Sequence, residues 1–267
     1  MLSYAIGESG WSDELAAFHH ETSGDDHYIE RASRTHTLTQ LKRWLNVERP
    51  VIVDIGCSSG LILRSLREWF PEAAIVGVDY VSDFLGVLAQ DLNDIPLVQF
   101  DLTRCPLPDE SVDAIVLLNV LEHIEQDRAA LVHVERILKP NGIAVIEVPA
   151  GERLYDIYDQ TFLHCRRYSM VGLLDKVTSA GLQVLEKSHL GCFLYPPFWA
   201  IKRHNRRYLK RSPKAQKEIV SRAIVTGRSN LLLHGVMRLE AVLRKWAYYP
   251  FGIRCLVTCR RTRTGSL

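Results

Sequence analysis

The stretch Val51-Ile-Val-Asp-Ile-Gly-Cys-Ser-Ser-Gly60, with Val76-Gly-Val-Asp79 after it, constrains this chain more than any other feature. Pro50 opens an apolar run from Val51 to Ile55, and a small polar loop stops it, so the run reads as a buried parallel strand entering a tight turn. Leu61, Ile62, Leu66 and Trp69 then recur at helical spacing. A loop between such a strand and helix lies at the carboxyl edge of an α/β sheet, where these folds bind ligands. A pyrophosphate-binding turn needs glycine at its first, third and sixth positions. Counting from Gly56, the third is Ser58 and the sixth is Leu61, so the nicotinamide fingerprint is missing two glycines.

Four further strands follow in order. Ala74 to Asp79 is short and apolar and ends in a carboxylate suited to two adjacent ribose hydroxyls. The plainer reading of Asp79 is an acid beside the helix start at Ser82 and Asp83. Leu97 to Phe100 forms the third strand, with Asp101 and Leu102 at its edge. Ser111 to Leu118 forms the fourth and runs into Asn119-Val-Leu-Glu-His-Ile124. Asp127 caps a helix with Ala130, Leu131, Val134, Ile137 and Leu138 on one face, Lys139-Pro-Asn-Gly142 ends it, and Ile143 to Val148 is the fifth strand.

Asp54, Gly56, Ser58 and Gly60, then Asp79 and Asp101, then Leu-Glu-His before a helix and Leu-Lys-Pro-Asn-Gly before a strand, resemble the class I (Rossmann-like) S-adenosylmethionine-dependent methyltransferases of the bacterial small-molecule type. The resemblance covers about Tyr28 to His189. It implies a doubly wound α/β fold: a mostly parallel seven-stranded sheet with helices on both faces and an antiparallel last strand inserted between the fifth and sixth. It also implies a cofactor site of Asp54, Gly56, Cys57, Ser58, Gly60, Asp79, Tyr80, Asp101, Leu102 and Asn119, with Asp101 on the adenine amino group. Ser58 stands where the family usually has glycine. Tyr28 and Arg31 fit, loosely, an aromatic and a basic residue that close over the methionine end of the cofactor.

The acceptor side is read from Pro149 onward. Asp159-Gln-Thr-Phe-Leu-His164-Cys-Arg-Arg-Tyr168-Ser gathers many polar groups at the ligand edge, and Tyr155, Asp159, His164, Arg167 and Tyr168 are the expected substrate contacts. Alternatively, Ser169 caps the following helix and the arginines solvate its start. Methyl transfer from a sulfonium needs alignment more than any charged catalyst, and alignment supplies up to roughly 7 to 11 kcal/mol in model reactions. A hydroxyl or acidic carbon acceptor also loses a proton, and His123 and His164 are the candidate bases.

The remainder divides by composition. Residues 1–27 read as a flexible lead-in or lid, 28–189 as the cofactor-binding core, 190–250 as a basic helical insertion, and 251–267 as the last core strand with a basic tail. Leu190 to Ile201 is aromatic, apolar and proline-broken, too short to span a bilayer, and eight Lys or Arg residues with no acid lie between Lys202 and Lys217. Ser229 to Tyr249 reads as a helix with Leu232, Val236, Leu239, Val242, Leu243 and Trp246 on its apolar face. Aromatic and basic residues together fit a peripheral contact of 190–217 with anionic lipid; an ordinary solvated face and, less expected, nucleic acid are the alternatives. A net charge of +2 gives no global pull toward nucleic acid.

Six cysteines without a Cys-x-x-Cys pair, and the His19-His20 pair without a third ligand, give no expected metal site. With no basic-then-apolar start, the expected location is a reducing cytoplasm, at most peripheral to the inner membrane face. The expected activity is methyl transfer to a small molecule such as a saccharide or lipid-linked precursor. A noncatalytic cofactor-fold partner and a nicotinamide oxidoreductase stay open as alternatives.

Overall fold

The structure is a computed structural model that describes residues 2–4, 27–227, 231–244, 246 and 248–262. Most of the expected lead-in (5–26, with His19 and His20) and the end of the basic tail (263–267) lie outside the described residues.

Alternation within each strand sends neighbouring side chains to opposite faces, and the apolar runs found in the sequence are long enough to be buried on both. The strands are β1 (Leu2–Ser3), β2 (Val51–Ile55), β3 (Ala74–Asp79), β4 (Leu97–Gln99), β5 (Val112–Leu118), β6 (Leu138–Pro149), β7 (Leu182–Leu190) and β8 (Arg254–Arg261). Their order across the sheet is β1-β4-β3-β2-β5-β6-β8-β7, parallel except for β8, which runs antiparallel to both β6 and β7. The expected last-strand position is therefore the observed one. The count is eight rather than seven because Leu2–Ser3 adds an edge strand beside β4. Two residues carry no period that a sequence could show.

Helices cover both faces. On one, Leu38 and Leu41 of α1 (Tyr28–Trp44), Leu63 and Leu66 of α2 (Leu61–Trp69), and Leu85 and Leu88 of α3 (Ser82–Asp91) pack with Ile52, Ala114, Val116 and Val145. On the other, Ala130, Leu131 and Val134 of α4 (Asp127–Ile137) pack with Val53, Ile115, Leu117 and Ile146. A short α5 (Ile157–Thr161) follows β6, and α6 (Met170–Ser179) adds Leu173 and Val177 to this second core. β2 pairs with β3 on one side and β5 on the other, so strand order reverses there. The crevice of such a fold opens beyond the carboxyl ends of these two strands.

Between β7 and β8 come α7 (Tyr195–Asn205), α8 (Pro213–Gly227) and α9 (Leu231–Leu243). α9 corrects the expected apolar face. Leu233, Val236 and Met237 pack against Ile29, Leu190 and Ile253, while Leu232, Leu239 and Val242 are 73%, 55% and 56% exposed. The reason is Glu240, fully buried, whose carboxylate accepts the backbone amides of Gly191 (2.7 Å) and Phe193 (3.1 Å). That pairing turns the Met237 side of the helix inward.

Candidate active site

The loop after β2 is shaped by three residues in the left-handed region: Gly56 (φ 79°), Ser58 (φ 44°) and Gly60 (φ 74°). Gly56 and Cys57 donate their amides to Val78 O at 2.8 and 2.9 Å, tying the turn to β3. The amide of Ser58 reaches the Asp79 carboxylate at 2.8 Å, and the Val81 amide reaches its other oxygen at 2.9 Å. Serine thus holds the turn that the family builds with glycine. For an L-residue this conformation costs roughly 1–2 kcal/mol. Ser58→Gly is therefore expected to raise the melting temperature of the ligand-free protein by about 2 °C, since relief of strain outweighs the added freedom of the unfolded chain. Ser58→Ala, which keeps the strain, is expected to give no such gain in the same thermal melt.

The polar atoms around this turn are not fully satisfied by the described residues. One carboxylate oxygen of Asp54 and the hydroxyl of Ser58 are buried without a hydrogen-bond partner among the described residues. The two Asp79 oxygens accept the Ser58 and Val81 amides, and a carboxylate has room for further donors. Burial, and then the neighbouring Asp79, push the Asp54 carboxyl up to about 8. Burial raises Asp79 to about 6 against the opposing amides of Val81, Ser58 and Tyr80. Folding therefore keeps a proton on Asp54 that the unfolded chain has lost above about pH 4, and stability conferred by this group falls as pH rises from about 4 to 8. His36, pulled down to about 3 by burial and by Arg244, acts in the opposite sense. The expected outcome is a wild-type melting temperature that falls relative to Asp54→Asn across that interval, read by differential scanning at several pH values.

Other expected cofactor residues are distributed less evenly. Cys57 and Leu102 are buried, and the Cys57 thiol is raised by burial and by Asp79 and Asp54. The Tyr80 carbonyl accepts Gln99 Nε2 at 3.0 Å. Asn119, at φ 55°, turns the chain out of β5. Asp101 caps the next turn: its Oδ1 accepts both the amide and the hydroxyl of Thr103 at 2.8 Å, the solvated-turn role that competes with an adenine contact. Tyr28 packs at the start of α1 beside His234, with burial raising its hydroxyl, whereas Arg31 is exposed.

The segments after β5 and β6 meet. His123 and His164 approach edge to face at 4.8 Å between ring centroids, and the Cys165 amide donates to Glu122 O at 2.7 Å. His164 Nδ1 lies 2.9 Å from Asp159 Oδ1, and Tyr155 OH donates to His164 O at 2.9 Å. Asp159 has no exposed surface and also accepts Arg167 Nε at 2.8 and 2.9 Å and Lys202 Nζ at 3.1 Å. Burial opposes its ionisation, yet the His164 hydrogen bond and the Lys202 and Arg167 charges hold it well below the usual carboxylate range. Burial lowers His164, against the pull of Asp159. A neutral ring whose Nδ1–H donates to Asp159 presents Nε2 as its open atom.

Of the expected substrate contacts, Arg167 and Tyr168 are spent inside the protein. Arg167 Nη1 donates to Ala150 O at 2.8 Å, and Tyr168 OH donates to Leu121 O at 3.0 Å and Asp127 Oδ2 at 2.8 Å. A surface hollow of about 450 Å³ lined by Tyr155, Cys165, Arg166 and Lys176 shares no residue with the His123–His164 contact. Sequence reading missed Glu122, Asp156 and Lys202. Glu122 stands in the motif beside His123, but nothing local marks its complete burial. Lys202 is hidden within the basic run; its Nζ reaches Asp156 Oδ1 at 2.6 Å, and the residue is 5% exposed.

A doubly wound sheet, a left-handed glycine-serine turn at its switch point and a carboxylate at the end of the next strand define a class of nucleoside-binding domain. Residues 53–146, about a third of the chain, match the family described as "Methyltransferase domain", so this segment of the core is similar to methyltransferase domains. Malonyl-acyl-carrier-protein O-methyltransferase of Halalkalibacterium halodurans is 27% identical over 163 residues, 57% of this chain and 58% of that protein. Trans-aconitate 2-methyltransferase of Azoarcus is 33% identical over 105 residues, 39% of this chain and 40% of that protein. The chain thus spans about half the length of these curated relatives. Haemonchus contortus phosphoethanolamine N-methyltransferase 2, solved in complex with S-adenosyl-L-methionine, superposes with a TM-score of 0.60 at 14% identity, covering 94% of this chain and 58% of that one. At that identity the likeness is one of fold.

Proposed function

We propose that this protein transfers a methyl group from S-adenosylmethionine to a small-molecule acceptor. The observation that carries the reading is the Asp79 carboxylate, fixed by backbone amides beside a left-handed loop in which one Asp54 oxygen and the Ser58 hydroxyl lack partners among the described residues. These residues fit a ligand rich in hydroxyl and ammonium donors: Asp79 would hold the ribose diol, and Asp54 and Ser58 would face its polar tail. The cofactor, when bound, supplies an electrophilic methyl on a sulfonium. The chain's task is to bind and orient acceptor and donor and to exclude water. Removal of an acceptor proton falls to His123 or His164, with Asp159 holding the His164 ring by its Nδ1.

Calorimetric titration with S-adenosylhomocysteine and with NADH tests the cofactor. Binding of the first alone is expected; binding of NADH alone would sink the reading. Transfer of labelled methyl to a metabolite extract, with mass spectrometry of the products, tests the activity and names the acceptor. The two curated relatives act, by their names, on a malonyl thioester and on trans-aconitate, so carboxylate acceptors belong in the pool beside saccharides and lipid-linked precursors. Cofactor binding with no product from any pool would favour the noncatalytic alternative.

A contact with anionic lipid is the second reading, favoured by the exposure of Phe193, Trp199 and Ile201 next to Arg203, Arg206, Arg207 and Lys210. No described helix is long and apolar enough to cross a membrane. Cosedimentation with anionic but not neutral vesicles, lost at high salt, is the expected result.

A further inference from the structure

Glu122, His123 and His164 bring one potential ligand atom each to within 4.8 Å of one another. We infer that this triad binds a single divalent transition-metal ion of the zinc and iron(II) class at the acceptor end of the site.

Three observations carry this. First, Glu122 is fully buried, and beyond its own backbone amide neither carboxylate oxygen has a hydrogen-bond donor among the described residues. A buried carboxylate in that condition is costly unless something else completes it. Second, His164 gives Nδ1 to Asp159 at 2.9 Å, and Asp159 is itself gripped by Arg167 and Lys202. This is the arrangement that fixes the ring and tautomer of a metal-ligating histidine and leaves its other nitrogen for the ion. Third, the donor set is two imidazoles and one carboxylate, which suits borderline transition ions better than magnesium or calcium, and three protein ligands leave coordination positions open. Ligand atoms about 2.1 Å from one ion lie roughly 3.4 Å apart in tetrahedral geometry, so side-chain rotation must draw the 4.8 Å spread in by about an ångström or more when the ion enters.

The open positions face the acceptor side, so the class of ligand they take is an oxygen donor, a hydroxyl or carboxylate. That role rests on the reading of this end as the acceptor site; ion binding itself does not. Sequence spacing hides the site because the third ligand lies on a separate segment, after β6 rather than β5.

The test uses the full chain stripped with chelator. Zn²⁺ affinity is measured by competition with a fluorescent chelator, and Co²⁺ is added as a spectroscopic probe of ligand type. One ion per chain is expected, with an imidazole and carboxylate spectrum lacking a thiolate band. Glu122→Gln and His164→Ala are each expected to weaken Zn²⁺ at least tenfold, while Cys165→Ser, at the exposed neighbouring thiol, leaves it unchanged. S-adenosylhomocysteine binding, measured on the same samples, reports that each variant is folded. Zn²⁺ binding that is absent, that survives both ligand substitutions, or that is lost only with Cys165→Ser overturns the inference. Failure of the wild type to bind S-adenosylhomocysteine while still holding one Zn²⁺ would sink the cofactor reading alone.

Discussion

Asp79→Ala is expected to weaken S-adenosylhomocysteine binding by two orders of magnitude or more. A carboxylate that receives both hydroxyls of a ribose makes two charge-assisted hydrogen bonds, each contributing about 1.5–3 kcal/mol, and each 1.4 kcal/mol is a factor of ten. The substitution also frees the amides of Ser58 and Val81, which the carboxylate now fixes, so the loop loses its anchor together with its ligand group. Asp79→Asn separates the two effects. It keeps the shape and one acceptor oxygen, and should cost about tenfold. Because burial raises Asp79 to about 6, protonation competes with binding in acid. Wild-type affinity should fall below about pH 6 as this carboxylate is neutralised, by up to tenfold per unit, and calorimetry between pH 5 and 7.5 would show it. An affinity indifferent to both substitutions would place the ligand elsewhere.

The second large effect concerns stability. Asp159→Ala leaves Arg167 and Lys202, which are 7% and 5% exposed, with Asp156 as the remaining buried acid bonded to Lys202. Breaking a buried ion pair by removing one partner costs about 3–5 kcal/mol, because the other charge stays desolvated. For a domain of this size that corresponds to a fall of about 10 °C in melting temperature. Arg222→Ala, which removes the solvent-exposed pair with Glu218, should leave the melt unchanged. A drop of only a degree or two for Asp159→Ala would mean that the cluster is solvated in solution. Asp159→Asn should recover part of the loss and, since it no longer holds His164 as an anion, should lower turnover more than it lowers stability.

These two residues also mark how far the sequence could be read. Asp79 was legible because its surroundings are local: an apolar strand, a carboxylate at its end and a helix start shortly after. The succession of β2 to β6 along the chain was legible for the same reason, since hydrophobic period and turn residues act over a few positions, whereas the antiparallel β8 between β6 and β7 was an expectation of the family resemblance alone. Asp159 and His164 were picked out as substrate contacts, yet Asp159 proves to be the centre of a buried cluster whose other members come from the start of α5 (Asp156), the segment after α5 (His164, Arg167) and α7 (Lys202). Pairing across such distances leaves no local trace. Lys202 shows this most plainly: read along the chain it is one cation in a solvated run, and in the fold it is a buried counter-ion. α9 departed for a related reason: Glu240 is buried by amides on a distant loop, which rotates the inward face so that of the expected apolar residues Val236 packs inward while Leu232, Leu239 and Val242 are exposed.

The place of β8 in the sheet has a consequence for biosynthesis. β6 and β7 bond to one another only through β8, and Arg254 on that strand is the cation that pairs with Glu147 of β6 and Glu30 of α1. A ribosome delivers residues 254–261 after every other strand has emerged. Until then β6 and β7 each present an unpaired edge, and Glu147 is an unneutralised acid beside the nascent crevice. The strands around the glycine-serine turn are all made before β8, whereas β6 and β7 are joined in the sheet only once residues 254–261 are in place.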